Sequence, residues 1–165
     1  MEVSFDKLSF AAWVKPADLS GIQTIIDEGG ATNGIALRIR DNVLEAAVRN
    51  GQTQFTTPAL TIPADGGWHH VAMTYDLGVL KIYLDGIFSS EITASYTTIS
   101  PTQWKWRNWF CRWRFWFWKW FGRQLYRLDG RCRYYFEKAL TAGQVADIAR
   151  NDGDRTALYM LVIIR

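Results

Sequence analysis

Along residues 68–76 apolar and polar positions alternate: Val71, Met73 and Tyr75 fall in step, with His70, Ala72 and Thr74 between them. A period of two predicts a β-strand. Leu80-Lys81-Ile82-Tyr83-Leu84 repeats the pattern after a Leu77-Gly78 corner, and Asp85-Gly86 supplies a second tight turn. Asp-Gly tolerates the positive φ values that a two-residue hairpin turn demands. Further strands are predicted at Leu8–Pro16, ended by a proline that cannot donate to a ladder, and at Ile22–Ile26, Ile35–Arg40, Val43–Val48, Thr53–Thr57 and Ile87–Thr93. Asp41-Asn42 and Asn50-Gly51 are the turns between three of them. Short strands punctuated by turn dipeptides predict an all-β, two-sheet antiparallel sandwich.

One helix is expected. Thr141 and Gln144 have capping-box spacing, and Val145, Ile148 and Ala149 then fall on one helical face, predicting a short helix at Ala142–Arg150.

The word order of these elements resembles laminin-G-like jelly rolls, relatives of concanavalin A and the pentraxins. Ser9–Pro16, Ile25-Ile26, Leu37–Gly51, Trp68–Gly86 and Phe136–Ile148 carry the likeness, in family order. Family members also have an earlier strand that pairs with the last one; here it is expected to be absent or reduced to Val3–Phe5. The resemblance implies a concanavalin A-like jelly roll over residues 1–150, with 151–165 as a tail that is either a final strand or disordered. It further implies a non-catalytic recognition or adhesion module that binds carbohydrate or protein ligands. Such a module is a fragment of a larger extracellular or cell-surface protein. Met1–Asp6 has no basic region followed by a hydrophobic one, so it does not read as a signal peptide.

At 165 residues the chain is long enough for one substantial core. It has no apolar run of about 18 residues, so no transmembrane helix is expected. Its net charge of +3 conceals two populations. Residues 102–135 hold nine of the 19 Lys and Arg side chains but a single acidic one, Asp129; everything else is net acidic. A general nucleic-acid binder is not built this way. Both cysteines, Cys111 and Cys132, lie in the same segment and make neither a disulfide framework nor a zinc site.

That segment does not suit a sandwich. Seven of the nine tryptophans fall within Trp104–Trp120, interleaved with cations, with neither strand alternation nor a helical stripe. The leading reading is translation in a shifted frame. Tryptophan is TGG, and one base along gives GGN, glycine, which is what a Gly-rich loop becomes when misread. Leu128–Tyr135, similarly shifted, can be read as Leu-Met-Asp-Asp-Val-Ala-Ile, similar to a family strand. This reading requires two compensating indels near codons 102 and 135 of the coding DNA. A cationic-aromatic membrane surface at 104–121 is the second reading, and a buried element, costly for so many cations, the third.

Candidate chemistry is sparse. Concanavalin-A-like glucanases carry Glu-x-Asp-x-x-Glu on one strand; that arrangement is missing, and Glu45 and Glu91 each stand alone. The chain therefore reads as non-enzymatic, with a glycoside hydrolase-like fragment as the alternative. His69 and His70 are adjacent on a strand, point to opposite faces and cannot share one ion, so both are read as structural. Trp13 and Trp68 are read as core. Calcium is the one ion that the resemblance implies, at the rim loop Asp27–Gly34, where Asp27, Glu28 and Asn33 offer hard oxygen donors.

Overall fold

The computed structural model describes residues 4–16, 19–29, 32–100 and 128–151. Within them ten strands and one helix follow in order. They are β1 (Lys7–Pro16), β2 (Ile22–Gly29), β3 (Asn33–Arg40), β4 (Val43–Asn50), β5 (Thr53–Thr56), β6 (Leu60–Thr61), β7 (His69–Asp76), β8 (Val79–Leu84), β9 (Ile87–Thr93), β10 (Leu128–Phe136) and α1 (Ala142–Asn151). One sheet runs β10-β1-β7-β8-β9; the other runs β2-β3-β4-β5, with β6 beside β4. Every pairing is antiparallel. This is the expected jelly-roll sandwich.

The turns sit where the sequence places them. Asp41 and Asn42, Leu77 and Gly78, and Asp85 and Gly86 all have positive φ, which closes two-residue hairpins whose twist matches the strands. Between the sheets, alternate residues interlock. Leu8, Phe10, Ala12 and Val14 of β1, Val71, Met73 and Tyr75 of β7, and Leu80 and Ile82 of β8 meet Ile35, Leu37 and Ile39 of β3 and Leu44, Ala46 and Val48 of β4. The Tyr75 hydroxyl reaches the Tyr96 carbonyl at 3.1 Å, and burial pushes its pKa up to about 12.

The first sheet is covered on its other face as well. Ala11, Ala72 and Tyr83 form a second cluster with Leu140 and Val145, against which Ile148 packs. Strand β7 is therefore buried at every position except its last, Asp76, where alternation had predicted one polar face. The cover is pinned by Ser9. Its buried hydroxyl donates to the Lys138 carbonyl and accepts from the Leu140 amide, each at 2.8 Å. The capping box forms as predicted: the Gln144 amide donates to Thr141 Oγ1 at 3.3 Å, and the Thr141 amide to Gln144 Oε1 at 2.9 Å. Helix α1 then seats on the Asp85-Gly86 turn, where a Cβ on Gly86 would lie 2.8 Å from that of Ala149.

One expectation changes. Leu128–Phe136, the end of the segment read as out of place, forms a strand along β1 from Ser9↔Phe136 to Pro16↔Leu128. The free edge of β1 presents unpaired backbone groups that the segment satisfies, irrespective of side-chain pattern. Ahead of β1, Phe5 makes an isolated bridge to Ile99, and residues 1–3 lie outside the described residues. The cationic-aromatic run 104–121 and the tail from 152 onward lie outside the described residues.

Ser9→Ala leaves the buried Leu140 amide without its acceptor. We expect it to destabilise the domain by about 1–3 kcal/mol in urea unfolding. Ser9→Thr, which keeps the hydroxyl, should lose less than Ser9→Ala; equal losses would mean the hydroxyl is not the pin.

Candidate ligand-binding groove

Where the cover ends, the outer face of β7, β8 and β9 opens into a groove of about 440 Å³. Cross-strand rows build its floor. Thr74, Lys81 and Glu91 lie side by side across three strands, and Tyr83 pairs with Phe88. The stretch 139–142, leading into α1, forms one wall.

Phe88 reaches this face because the two-residue Asp85-Gly86 turn sets Ile87 opposite Leu84 and Phe88 opposite Tyr83. The register then passes from Tyr83↔Phe88 to Ile82↔Ser90, so Ser89 is an extra residue. This bulge re-phases the rest of β9 and brings Glu91, rather than Ser90, opposite Lys81. Phe88 is 47% exposed and is braced edge-on by Tyr83, with centroids 5.9 Å apart at 72°. Lys81 Nζ stands 5.7 Å from the Phe88 centroid and 3.1 Å from Glu91 Oε2. The hydrogen bond to Glu91 holds the Lys81 ammonium above its usual pKa. At the end of β7, Asp76 pairs with Lys7 at 3.1 Å. The groove thus combines one open aromatic ring with two self-neutralising ion pairs.

The residues singled out from the sequence lie elsewhere. Asp27 sits opposite Ala36 and Glu28 opposite Ile35, on opposite faces of their sheet. Asn33 Oδ1 accepts the Gly51 amide at 2.8 Å. Desolvation raises the Asp27 pKa and the Arg38 charge opposes it. Calcium requires several oxygens converging on one point; Asp27 and Glu28 diverge and Asn33 is occupied in holding a turn, so the three as placed do not fit the ion.

His69 and His70 do point apart. His69 is held between two carboxylates, Nδ1 at 3.0 Å from Asp85 Oδ2 and Nε2 at 3.1 Å from Asp65 Oδ1. Burial works against the charged ring, yet the hydrogen bonds from Asp85 and Asp65 outweigh it and raise its pKa. This cluster ties the 65–67 loop to the Asp85-Gly86 turn, where Asp85 also accepts the His70 amide at 2.8 Å. His70 is enclosed with neither ring nitrogen hydrogen-bonded among the described residues, and burial pushes its pKa down to about 4. Its ring meets Trp13 edge-on at 5.5 Å. Trp13, paired with His70 across the strands, therefore lies on the outer face of its sheet rather than in the core between the sheets, and Trp68 precedes β7 and is only partly buried. Phe88 and the Asp65–His69–Asp85 cluster were not singled out from the sequence: counting outward from the Asp85-Gly86 turn places the first opposite Tyr83, while the second depends on a contact across a turn.

A family model described as the concanavalin A-like lectin/glucanases superfamily, Laminin_G_3, matches residues 2–121. The chain belongs to this family. Laminin-G-like architecture also appears in its structural neighbours. The botulinum neurotoxin serotype G binding domain superposes with a TM-score of 0.66 at 15% identity, over 93% of this chain and 39% of that one. The binding domain of botulinum neurotoxin DC in complex with SialylT gives 0.61 at 16%, over 89% and 36%. The same domain in complex with rat synaptotagmin II gives 0.60 at 16%, over 89% and 36%. At such identities the likeness establishes the fold, and this chain spans well under half the length of those binding domains. No curated protein matches the laminin-G-like chain in sequence.

The two histidines act oppositely on stability. Below about pH 6.5 the unfolded chain protonates His70 while the folded one refuses the proton until about pH 4. Its contribution is therefore present above 6.5 and lost as pH falls towards 4, by roughly 3 kcal/mol. His69, with its pKa raised, contributes fully below 6.5 and loses that contribution as pH rises through the folded value. We expect His70→Phe to flatten the acid limb of the stability–pH curve between pH 6.5 and 4, measured by urea unfolding. An unchanged acid limb would show that His70 titrates normally when folded.

Proposed function

We propose that this laminin-G-like domain is a non-catalytic recognition module, one part of a larger extracellular or cell-surface protein, and that it binds a glycan or protein ligand in the groove beside α1. The observation that carries this reading is Phe88. The Asp85-Gly86 hairpin sets its large apolar ring opposite Tyr83 on the outer face, and a half-exposed ring flanked by paired charges has the chemistry of a contact residue. The neighbouring structures lend support. Their descriptions name a complex with SialylT, a complex with rat synaptotagmin II, and an interaction of botulinum neurotoxin type C with two ganglioside molecules.

A second reading, a glycoside hydrolase-like fragment, draws on Asp76 and Glu91, which both line the groove. The geometry favours binding over turnover. Each carboxylate is paired with a lysine, each side chain is about half exposed (49% and 48%), and neither is enclosed by apolar groups as a general acid would be.

The test is a glycan array and a cell-surface binding assay with the wild type, Phe88→Ala and Asp76→Asn, alongside a hydrolysis assay on the glycans retained. Binding by the wild type, its loss in Phe88→Ala with folding intact, and no hydrolysis are expected. Hydrolysis abolished by Asp76→Asn would establish the enzymatic reading instead.

A further inference from the structure

The charges around the groove narrow its ligand. Lys81 is committed to Glu91 and Lys7 to Asp76, so among the described residues the groove has no surplus of either sign. An anionic group drawn to Lys81 meets the Glu91 carboxylate 3.1 Å from the same ammonium. Phosphate, sulfate and carboxylate oxygens only accept hydrogen bonds and cannot use Glu91 at all. A hydroxyl both donates and accepts. Two neighbouring hydroxyls can accept from Lys81 and donate to Glu91 while the ion pair stays intact.

The aromatic ring supplies the other half. Phe88 has no polar tip, so its open area contacts an apolar surface only. Its position is set by the register of the Asp85-Gly86 hairpin and by Tyr83, which spares a ligand the cost of ordering it. Lys81 Nζ lies over the Phe88 ring, 5.7 Å from its centroid, so a molecule packed on the part of the ring that the ammonium leaves open has its rim beside Lys81 and, beyond it, Glu91. A flat molecule with one apolar face and a rim of uncharged hydroxyls matches each of these features.

We propose that the groove binds a neutral hexopyranose, the C–H face of the sugar stacked on Phe88 and adjacent hydroxyls held by the Lys81–Glu91 pair. This rests on reading the groove as the recognition site. It departs from the sialyl and ganglioside ligands named for the neighbours, because the pair that grips hydroxyls here opposes an acidic sugar.

Saturation-transfer NMR and calorimetry on the full chain, with lactose, maltose, cellobiose and 3′-sialyllactose as probes, test it. At least one neutral disaccharide should bind, with an affinity nearly independent of salt. Phe88→Ala should weaken it roughly tenfold, as losing a stacked ring does. Phe88→Trp should retain it, and Lys81→Met, which keeps the apolar stem, should weaken it too. Binding of 3′-sialyllactose that weakens with salt and disappears in Lys81→Met, with the neutral sugars silent, overturns the neutral-sugar inference and leaves the groove as the recognition site. No sugar binding to a wild type that captures a protein through Phe88 does the same. A sugar that binds equally well to wild type and Phe88→Ala overturns both, since the site is then not this groove.

Discussion

Strand β7 must be dry on both faces at once. Val71, Met73 and Tyr75 fill the core between the sheets, while Ala72 packs outward beneath Leu140 and Val145. An antiparallel sheet commonly leaves one face to water; here that face is capped by α1 and the strap leading into it. The cap exists because Ser9 satisfies both a carbonyl and an amide of the strap inside an otherwise apolar cluster. Small residues at Ala11 and Ala72 leave the space for it, and Gly86 lets the helix approach the turn. Without these allowances the outer face would be an exposed apolar patch.

The groove is a by-product of that partial cover. The strap shields Tyr83 and stops short of Lys81 and Glu91, leaving a step between covered and open sheet. At the step, the Asp85-Gly86 turn sets the Phe88 ring opposite Tyr83, and the bulge in β9 brings Glu91 opposite Lys81. A regular sheet thus becomes a recognition surface through one inserted residue and one helix that covers part of a face. Ion pairs at its margins are half exposed and contribute little to folding. Their consequence is for what can bind.

Much of the sandwich could be read directly from the chain. The hairpin turns are encoded by Asp41-Asn42, Leu77-Gly78 and Asp85-Gly86, whose backbone requirements are local. The helix was legible because its cap is four residues long and self-contained. What escaped is non-local. The polar half of β7 looks solvent-facing until the strap, more than sixty residues later, is folded onto it. Trp13 looks like core because its strand alternates, yet it belongs to the face that meets His70. Asp27, Glu28 and Asn33 are close in sequence, but strand geometry separates the first two and a turn engages the third. No local pattern at Ile87–Ser90 announces the bulge that brings Glu91 opposite Lys81, beside a Phe88 that the Asp85-Gly86 turn already sets opposite Tyr83.

Native-state hydrogen exchange on β7 examines the two-face burial most directly. Amides from His70 to Tyr75 should exchange only through global unfolding, with a denaturant dependence equal to that of the whole domain. The outer strand β5, with its exposed residues, should exchange faster. Exchange of the β7 amides by local opening, insensitive to denaturant and as fast as in β5, would contradict a strand sealed on both sides.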